Sequence, residues 1–145
     1  MKKVYFAGSI RGGRNDSVLY AEIIAILQDL GCEVLTEHLG DKMLSVSGET
    51  GLSKNIYDRD LNWLKQADVL VAEVTTPSLG VGYEIAKAEK MGKPILCLFR
   101  PEGEKKLSAM IQGNPSATVV EYRKLQTAEH AIATFIDNLG HPNST

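Results

Sequence analysis

In the stretch Val4-Tyr5-Phe6-Ala7-Gly8-Ser9, a short apolar run stops abruptly at a glycine. A polar, glycine-rich segment follows, and apolar residues then recur at helical spacing until Gly31. This order is typical of a β-strand that a tight loop joins to an α-helix. The first 31 residues therefore predict one β-α unit.

The same alternation continues along the rest of the chain. Further strands are predicted at 32–35, 69–72, 95–99 and 118–121. Further helices are predicted from Ser53, over about 82–91, over 107–111 and around 131–139. Uninterrupted apolar strands are typical of parallel sheets that are covered on both faces. We therefore expect an α/β, doubly wound, five-stranded parallel sheet in a single domain over residues 1–139, with 140–145 as a frayed tail.

The composition is that of an ordinary globular protein and excludes several functional classes. Hydrophobic residues make up 43% of the chain, charged residues make up 23%, and the formal net charge is -2. This balance lacks the basic excess of a protein that binds nucleic acid polymers, and no apolar run reaches the length of a membrane span. Cys32 and Cys97 each lie in an apolar stretch, and no signal-peptide pattern opens the chain, so we expect a cytoplasmic protein with reduced thiols. The nucleus is a second location that the sequence leaves open.

The loops at the carboxyl ends of the strands are the expected place for a ligand. The loop after Ala7 combines Gly8, Ser9 and Arg11 near a helix N-terminus, and these groups suit a phosphate or a carboxylate. It is not a dinucleotide fingerprint, because Ile10 stands where that motif needs glycine. A plain β-α turn with a solvated arginine explains the same composition equally well. The loops after residues 72 and 99 are the other two expected sites.

Two carboxylates border the same predicted crevice. Asp60 flanks the apolar stripe of the second helix, and Glu84 follows a loop that carries Ser78 and Gly80. An aspartate in such a place commonly caps or faces solvent, and a glutamate in a first helical turn commonly complements the helix dipole. If both side chains point into the crevice, they supply the two carboxyl groups of glycoside chemistry. His38 and His130 have no metal-ligand or triad spacing, so neither a metal nor a histidine role is expected.

Several segments in the same order resemble the 2'-deoxynucleoside 5'-phosphate N-hydrolases, a family of the nucleoside deoxyribosyltransferase superfamily. The matching segments are 4–14, 35–38, 60–64, 77–84, 96–101 and 107–111. The resemblance covers nearly the whole chain except about 40–52 and the tail. It implies a flavodoxin-like fold, a homodimer and no cofactor. It also implies hydrolysis of the N-glycosidic bond of 2'-deoxyribonucleoside 5'-monophosphates to free base and 2-deoxyribose 5-phosphate.

The resemblance further implies a role for individual residues. Glu84 is expected to be the nucleophile that forms a covalent glycosyl-enzyme, Asp60 the acidic partner, and Tyr5 the residue that orients the glutamate. The expected substrate-binding residues are Gly8, Ser9, Ile10, Arg11, Gly12, Ser78, Gly80, Ser108 and Met110. Ser108 is expected to reach the phosphate from the other subunit. The base preference stays open, because the segment 40–52 diverges.

Two other functions fit the same fold. A deoxyribosyltransferase would hand the sugar to another base, and the hydroxyls and arginine suited to a phosphate argue against it. A non-catalytic nucleotide or flavin-binding module would not need Tyr5, Asp60 and Glu84 together. A colourless purified protein would remove the flavin version of that alternative.

Overall fold

The computed structural model describes residues 1–10, 15–40 and 52–139, in which strands and helices alternate. The strands are β1 (Lys3–Gly8), β2 (Glu33–Val34), β3 (Val69–Glu73), β4 (Ile95–Phe99) and β5 (Ala117–Glu121). The helices are α1 (Asn15–Asp29), α2 (Ser53–Gln66), α3 (Leu79–Lys90), α4 (Ala109–Gln112) and α5 (Leu125–Asn138), with a 3-10 helix at Glu37–Gly40. The predicted tail, 140–145, lies outside the described residues. None of the described helices has the length and apolar character needed to cross a membrane.

The five strands form one parallel sheet in the order β2-β1-β3-β4-β5. The expected α/β, doubly wound, flavodoxin-like sheet is therefore confirmed. The strand order reverses between β1 and β3, where Gly8 pairs in register with Glu73. In such sheets ligands bind in the crevice outside the carboxyl ends of the strands at this switch point. The loops after β1 and β3 consequently flank one crevice.

Alternate residues of β1 supply two hydrophobic layers, one on each face of the sheet. Tyr5 packs in the same cluster as Ile85 of α3, on the face covered by α2 and α3. Phe6 packs with Ile23 of α1 and Ile132 of α5 on the opposite face. Each fully buried side chain of this size contributes about 1.5–3 kcal/mol to folding. These two layers fix the position of β1, and with it the position of Tyr5 beneath the crevice.

The strand β2 ends one residue earlier than the sequence predicts, because a side chain takes over the pairing of β1. The hydroxyl of Thr36 accepts a hydrogen bond from the Phe6 N–H at 2.9 Å and donates to the Phe6 carbonyl oxygen at 2.6 Å. Both backbone groups at this point of the sheet are therefore satisfied without a further strand residue. The chain then turns into the 3-10 helix, which the sequence does not predict, because the polar segment after Thr36 has no clear period.

The helix α3 starts at Leu79, three residues before the predicted start. Ser78 is its N-cap, and the serine Oγ accepts a hydrogen bond from the Val81 N–H at 3.2 Å. This cap satisfies one of the free N–H groups of the first turn. Gly80, which the sequence analysis assigns to a loop, is thus part of the helix.

A close contact joins the end of β1 to α1. A Cβ atom added at Gly8 would lie 2.7 Å from the Tyr20 ring, a distance that real side chains do not adopt. The Tyr20 hydroxyl donates a hydrogen bond to the Ser9 carbonyl oxygen at 3.1 Å. Glycine is therefore required at position 8 so that the backbone and Tyr20 can approach. This contact fixes the backbone at the entrance of the crevice.

Candidate active site

The crevice at the switch point contains a cavity of about 450 Å³, which we call the Glu84 cavity. The end of β1 contributes Gly8, Ser9 and Ile10, the helix α2 contributes Asp60, and the start of α3 contributes Glu84. Two smaller cavities also contain both carboxylates. The structure therefore brings the predicted acidic pair, Asp60 and Glu84, to one place.

The central contact of the site is a hydrogen bond from the Tyr5 hydroxyl to Glu84 Oε2. Burial raises the pKa of Glu84 to about 7, the Tyr5 hydrogen bond opposes this rise, and the charge of Asp60 adds to it. Burial also raises the pKa of Tyr5, and the neighbouring Glu84 raises it further. Tyr5 therefore stays protonated and donates, while Glu84 titrates near neutrality. A carboxyl group with this pKa is about half ionised at neutral pH.

Asp60 is in contact with a cation that the sequence analysis missed. Arg59 donates from Nε to Asp60 Oδ1 at 3.0 Å, and its Nη2 lies 2.9 Å from the same oxygen. The guanidinium carbon of Arg59 lies 4.7 Å from the centre of the Trp63 ring, within the range of a cation–π contact. Neighbours in a helix seldom face each other, so the spacing of Arg59 and Asp60 gave no signal of this pair.

His38 also lies at the site, although the sequence analysis gave it no role. Its ring lies 5.5 Å from that of Trp63, and it lines a small cavity together with Tyr5, Asp60 and Glu84. The 3-10 helix that follows Thr36 brings it there. The signal in the sequence was the position of His38 just after the strand that pairs with β1.

A second lobe of about 270 Å³ opens beside Asp60 and Glu84. Tyr57 of α2 and Tyr83 of α3 lie on its rim, with their hydroxyl oxygens 3.2 Å apart. The sequence analysis did not select either tyrosine as part of an aromatic pair, because only the packing of α2 against α3 brings them together. The lobe gives the site an apolar surface next to the carboxylates.

The residues expected to bind the substrate fall into three groups. Gly8, Ser9 and Ile10 line the Glu84 cavity, and they face Ser78 and Gly80 from the start of α3. A Cβ atom added at Gly80 would lie 4.0 Å from Glu84 Oε1, so this glycine lies directly beside the carboxylate. Arg11 and Gly12 lie outside the described residues. Ser108 and Met110 form the third group, at a separate place.

Ser108 and Met110 lie across a groove of about 520 Å³ between α3 and α4. Ser108 is the N-cap of α4, and its Oγ accepts a hydrogen bond from the Met110 N–H at 3.2 Å. Met110 is 84% exposed, and Leu79, on the opposite wall of the groove, is 97% exposed. Within one chain Ser108 thus lines this groove, whereas Glu84 lines the cavity on the other side of Ser78. Leu107, the residue before Ser108, is partly buried against the core of the same chain.

The described residues contain no group of three or more His, Cys, Asp or Glu side chains that could hold a metal ion. The groups gathered at the site are its two carboxylates, its hydroxyls, Arg59 and His38. A buried carboxyl with a raised pKa beside a second carboxyl in a cavity is a typical catalytic arrangement. This arrangement can provide a nucleophile and an acid-base group.

Comparison with known proteins agrees with the fold and identifies relatives of this chain. The model of the nucleoside 2-deoxyribosyltransferase family matches residues 4–134. The chain is similar to the 5-hydroxymethyl-dUMP N-hydrolase of Rattus norvegicus, with 53% identity over 136 residues, 92% of this chain and 82% of the relative. It is also similar to the 5-hydroxymethyl-dUMP N-hydrolase of Tetraodon nigroviridis, with 50% identity over 140 residues, 94% of this chain and 98% of the relative.

A solved structure shows the same fold. The Clostridium botulinum CMP N-glycosidase matches with a TM-score of 0.65 and 20% identity, covering 91% of this chain and 99% of that one. The family model spans most of the sheet and the whole of the Glu84 cavity. The chain therefore belongs to the nucleoside 2-deoxyribosyltransferase family.

Proposed function

We propose that the protein is an N-glycosidase that hydrolyses 2'-deoxyribonucleoside 5'-monophosphates to free base and 2-deoxyribose 5-phosphate. The observation that carries the proposal is the Tyr5–Glu84 hydrogen bond in a cavity that also holds Asp60. Relatives at least 50% identical that carry the name 5-hydroxymethyl-dUMP N-hydrolase support it. We therefore take 5-hydroxymethyl-dUMP as the first substrate to test.

Glu84 is the nucleophile in this proposal. The transition state of glycosidic cleavage resembles an oxocarbenium ion, which an ionised carboxylate beneath C1' stabilises before it forms the covalent bond. The Tyr5 hydroxyl holds Glu84 Oε2, while Oε1 lies on the side of Gly80, where no side chain separates it from the cavity. The tyrosine thus fixes the rotation of the carboxylate and orients the second oxygen.

Asp60 is the acid-base group in this proposal. In the first half of the reaction the C1'–N bond breaks, Glu84 bonds to C1', and a proton from Asp60 neutralises the base nitrogen. In the second half a water attacks C1', Asp60 takes a proton from it, and Glu84 leaves as a carboxylate. Arg59 donates from Nε to Asp60 Oδ1 at 3.0 Å, and this hydrogen bond fixes the rotation of the Asp60 carboxyl group.

The 5'-phosphate is proposed to lie between the end of β1 and the start of α3. Ser9 and Ser78 line this part of the Glu84 cavity, and the first turn of α3 adds the positive end of a helix dipole. Binding at the phosphate is remote from C1'. Its free energy can therefore hold the sugar over Glu84 and lower the barrier to reaction.

The active protein is proposed to be a homodimer. The groove between α3 and α4 exposes Leu79 and Met110, and a second copy of the chain would remove both apolar side chains from water. Ser78 lines both this groove and the Glu84 cavity. A partner seated in the groove can thus place its own serine at position 108 close to the phosphate.

We expect the 5'-phosphate to be required for turnover. Loss of charge-assisted hydrogen bonds worth about 1.5–3 kcal/mol each should lower kcat/KM for the nucleoside by roughly a hundredfold or more relative to 5-hydroxymethyl-dUMP. Chromatography of the released base gives both rates. Equal rates for the nucleotide and the nucleoside would show that the protein has no functional phosphate site. Transfer of the sugar to an added free base would favour a transferase.

We expect Glu84→Gln to fold normally and to lose activity by at least about a thousandfold, because an amide cannot form the glycosyl ester at C1'. Glu129→Gln, which changes an exposed glutamate on α5 in the same way, is the matched control and should keep full activity. Release of free base and circular dichroism are the two measurements. If Glu84→Gln retains a tenth of the activity, another group is the nucleophile.

We expect two inactive variants to restore each other if the site is shared. Glu84→Ala removes the nucleophile but keeps Ser108, whereas Ser108→Trp blocks the partner's phosphate site but keeps Glu84. Mixed dimers would contain one intact site, so activity should return when subunits exchange. Native mass spectrometry confirms the exchange. Confirmed exchange with no recovery would show that each site is complete within one chain.

A further inference from the structure

The structure contains a second pair of tyrosine and glutamate that the proposed reaction does not use. Glu73, the last residue of β3, is 2% exposed and accepts a hydrogen bond from the Tyr122 hydroxyl at its Oε2 atom. Tyr122 belongs to the hydrophobic layer of α1 and α5, whereas Tyr5 belongs to the layer of α2 and α3. The two pairs thus lie on opposite faces of the sheet, at the same edge.

The burial of the Glu73 carboxyl group costs free energy, so its presence calls for a structural reason. Burial raises the pKa of Glu73, and hydrogen bonds from Tyr122 and Thr75 oppose that rise. A buried charge is costly unless hydrogen bonds satisfy it, so such a group is retained where it fixes a particular geometry. Glu73 does not line the Glu84 cavity, so it acts through its neighbours.

The hydrogen bonds of Glu73 hold the turn that follows β3. The Thr75 N–H donates to Glu73 Oε1 at 2.7 Å, and the Arg100 N–H donates to Thr75 Oγ1 at 2.8 Å. Tyr122 follows β5, and its own N–H donates to the Phe99 carbonyl oxygen at 3.0 Å. The turn is therefore tied to β3, β4 and the end of β5 at once.

The same turn is tied to the start of α1. The Thr76 hydroxyl donates to Asp16 Oδ2 at 3.1 Å, and Arg100 Nη2 lies 3.6 Å from Asp16 Oδ1. The next residues in the chain are Pro77 and Ser78, which line the Glu84 cavity. These bonds connect the two sides of the proposed phosphate site, the β1–α1 side and the α3 side.

We propose that Glu73 and Tyr122 are positioning residues for the phosphate half of the site, acting through the turn that ends at Ser78. The inference rests on the proposed function and adds a role for a buried pair on the far face of the sheet. Its effect is confined to substrate binding, because Glu84 is held separately. Tyr5 bonds to it directly, and the buried Val81 and Ile85 anchor its helix.

The test is the Tyr122→Phe variant, which keeps the buried ring and removes only the hydroxyl. We expect KM for 5-hydroxymethyl-dUMP to rise roughly tenfold, the scale of one lost hydrogen bond, with kcat within about threefold of the parent. The preference for nucleotide over nucleoside, expressed as a ratio of kcat/KM values, should fall by the same factor. Glu73→Gln, which keeps an acceptor for the Thr75 N–H, should show a smaller change in the same direction.

The control is Lys93→Met, at a position just before β4 and at the opposite edge of the sheet. Lys93 Nζ donates hydrogen bonds to the carbonyl oxygens of Lys65 at 3.0 Å and Ala67 at 2.7 Å, and the variant removes both. It should lower the thermal midpoint without changing the nucleotide preference. An unchanged preference in both Tyr122→Phe and Glu73→Gln would overturn this inference alone. A parent protein without any nucleotide preference would overturn the inference together with the phosphate site.

Discussion

The hydrogen bond between Tyr5 and Glu84 is the contact on which the rest of the site depends. It joins β1, whose side chains alternate between two buried layers, to α3, which the buried Val81 and Ile85 anchor in the core. Because both elements are packed in the core, the Tyr5 hydroxyl orients the carboxylate before any substrate binds. Preorganisation of this kind supplies much of the stabilisation of a charged transition state.

The parallel sheet explains why the remaining groups gather around that bond. Its strand order reverses beside β1, so the ends of β1 and β3 flank one crevice, and α2 closes the crevice with Asp60. On one face of the sheet, burial raises the pKa of Glu84. On the other face, the buried Glu73 accepts a hydrogen bond from Thr75 in the turn that leads to Ser78. In our proposal the two faces of the sheet serve different halves of one site: one face supports catalysis and the other supports phosphate binding.

Much of this arrangement could be predicted from the sequence. Uninterrupted apolar runs gave the strands, and motifs shared with a known family gave Tyr5, Asp60 and Glu84. Arg59 was missed because its contacts with Asp60 and Trp63 depend on side-chain rotamers, which sequence spacing does not encode. His38 was missed because Thr36 ends β2 with a side-chain bond that no periodicity reveals. The proposed role of Ser108 depends on a second subunit, which no local pattern specifies.

The pH dependence of kcat/KM for the parent protein and Tyr5→Phe tests the central contact most directly. In the proposed reaction Glu84 must be ionised to attack, so activity of the parent should fall as pH drops through about 7, the pKa to which burial raises this carboxyl. The Tyr5 hydrogen bond stabilises the carboxylate and lowers its pKa, so its loss in Tyr5→Phe should move this fall to higher pH. A fall at the same pH in both proteins, or at lower pH in the variant, would contradict the account.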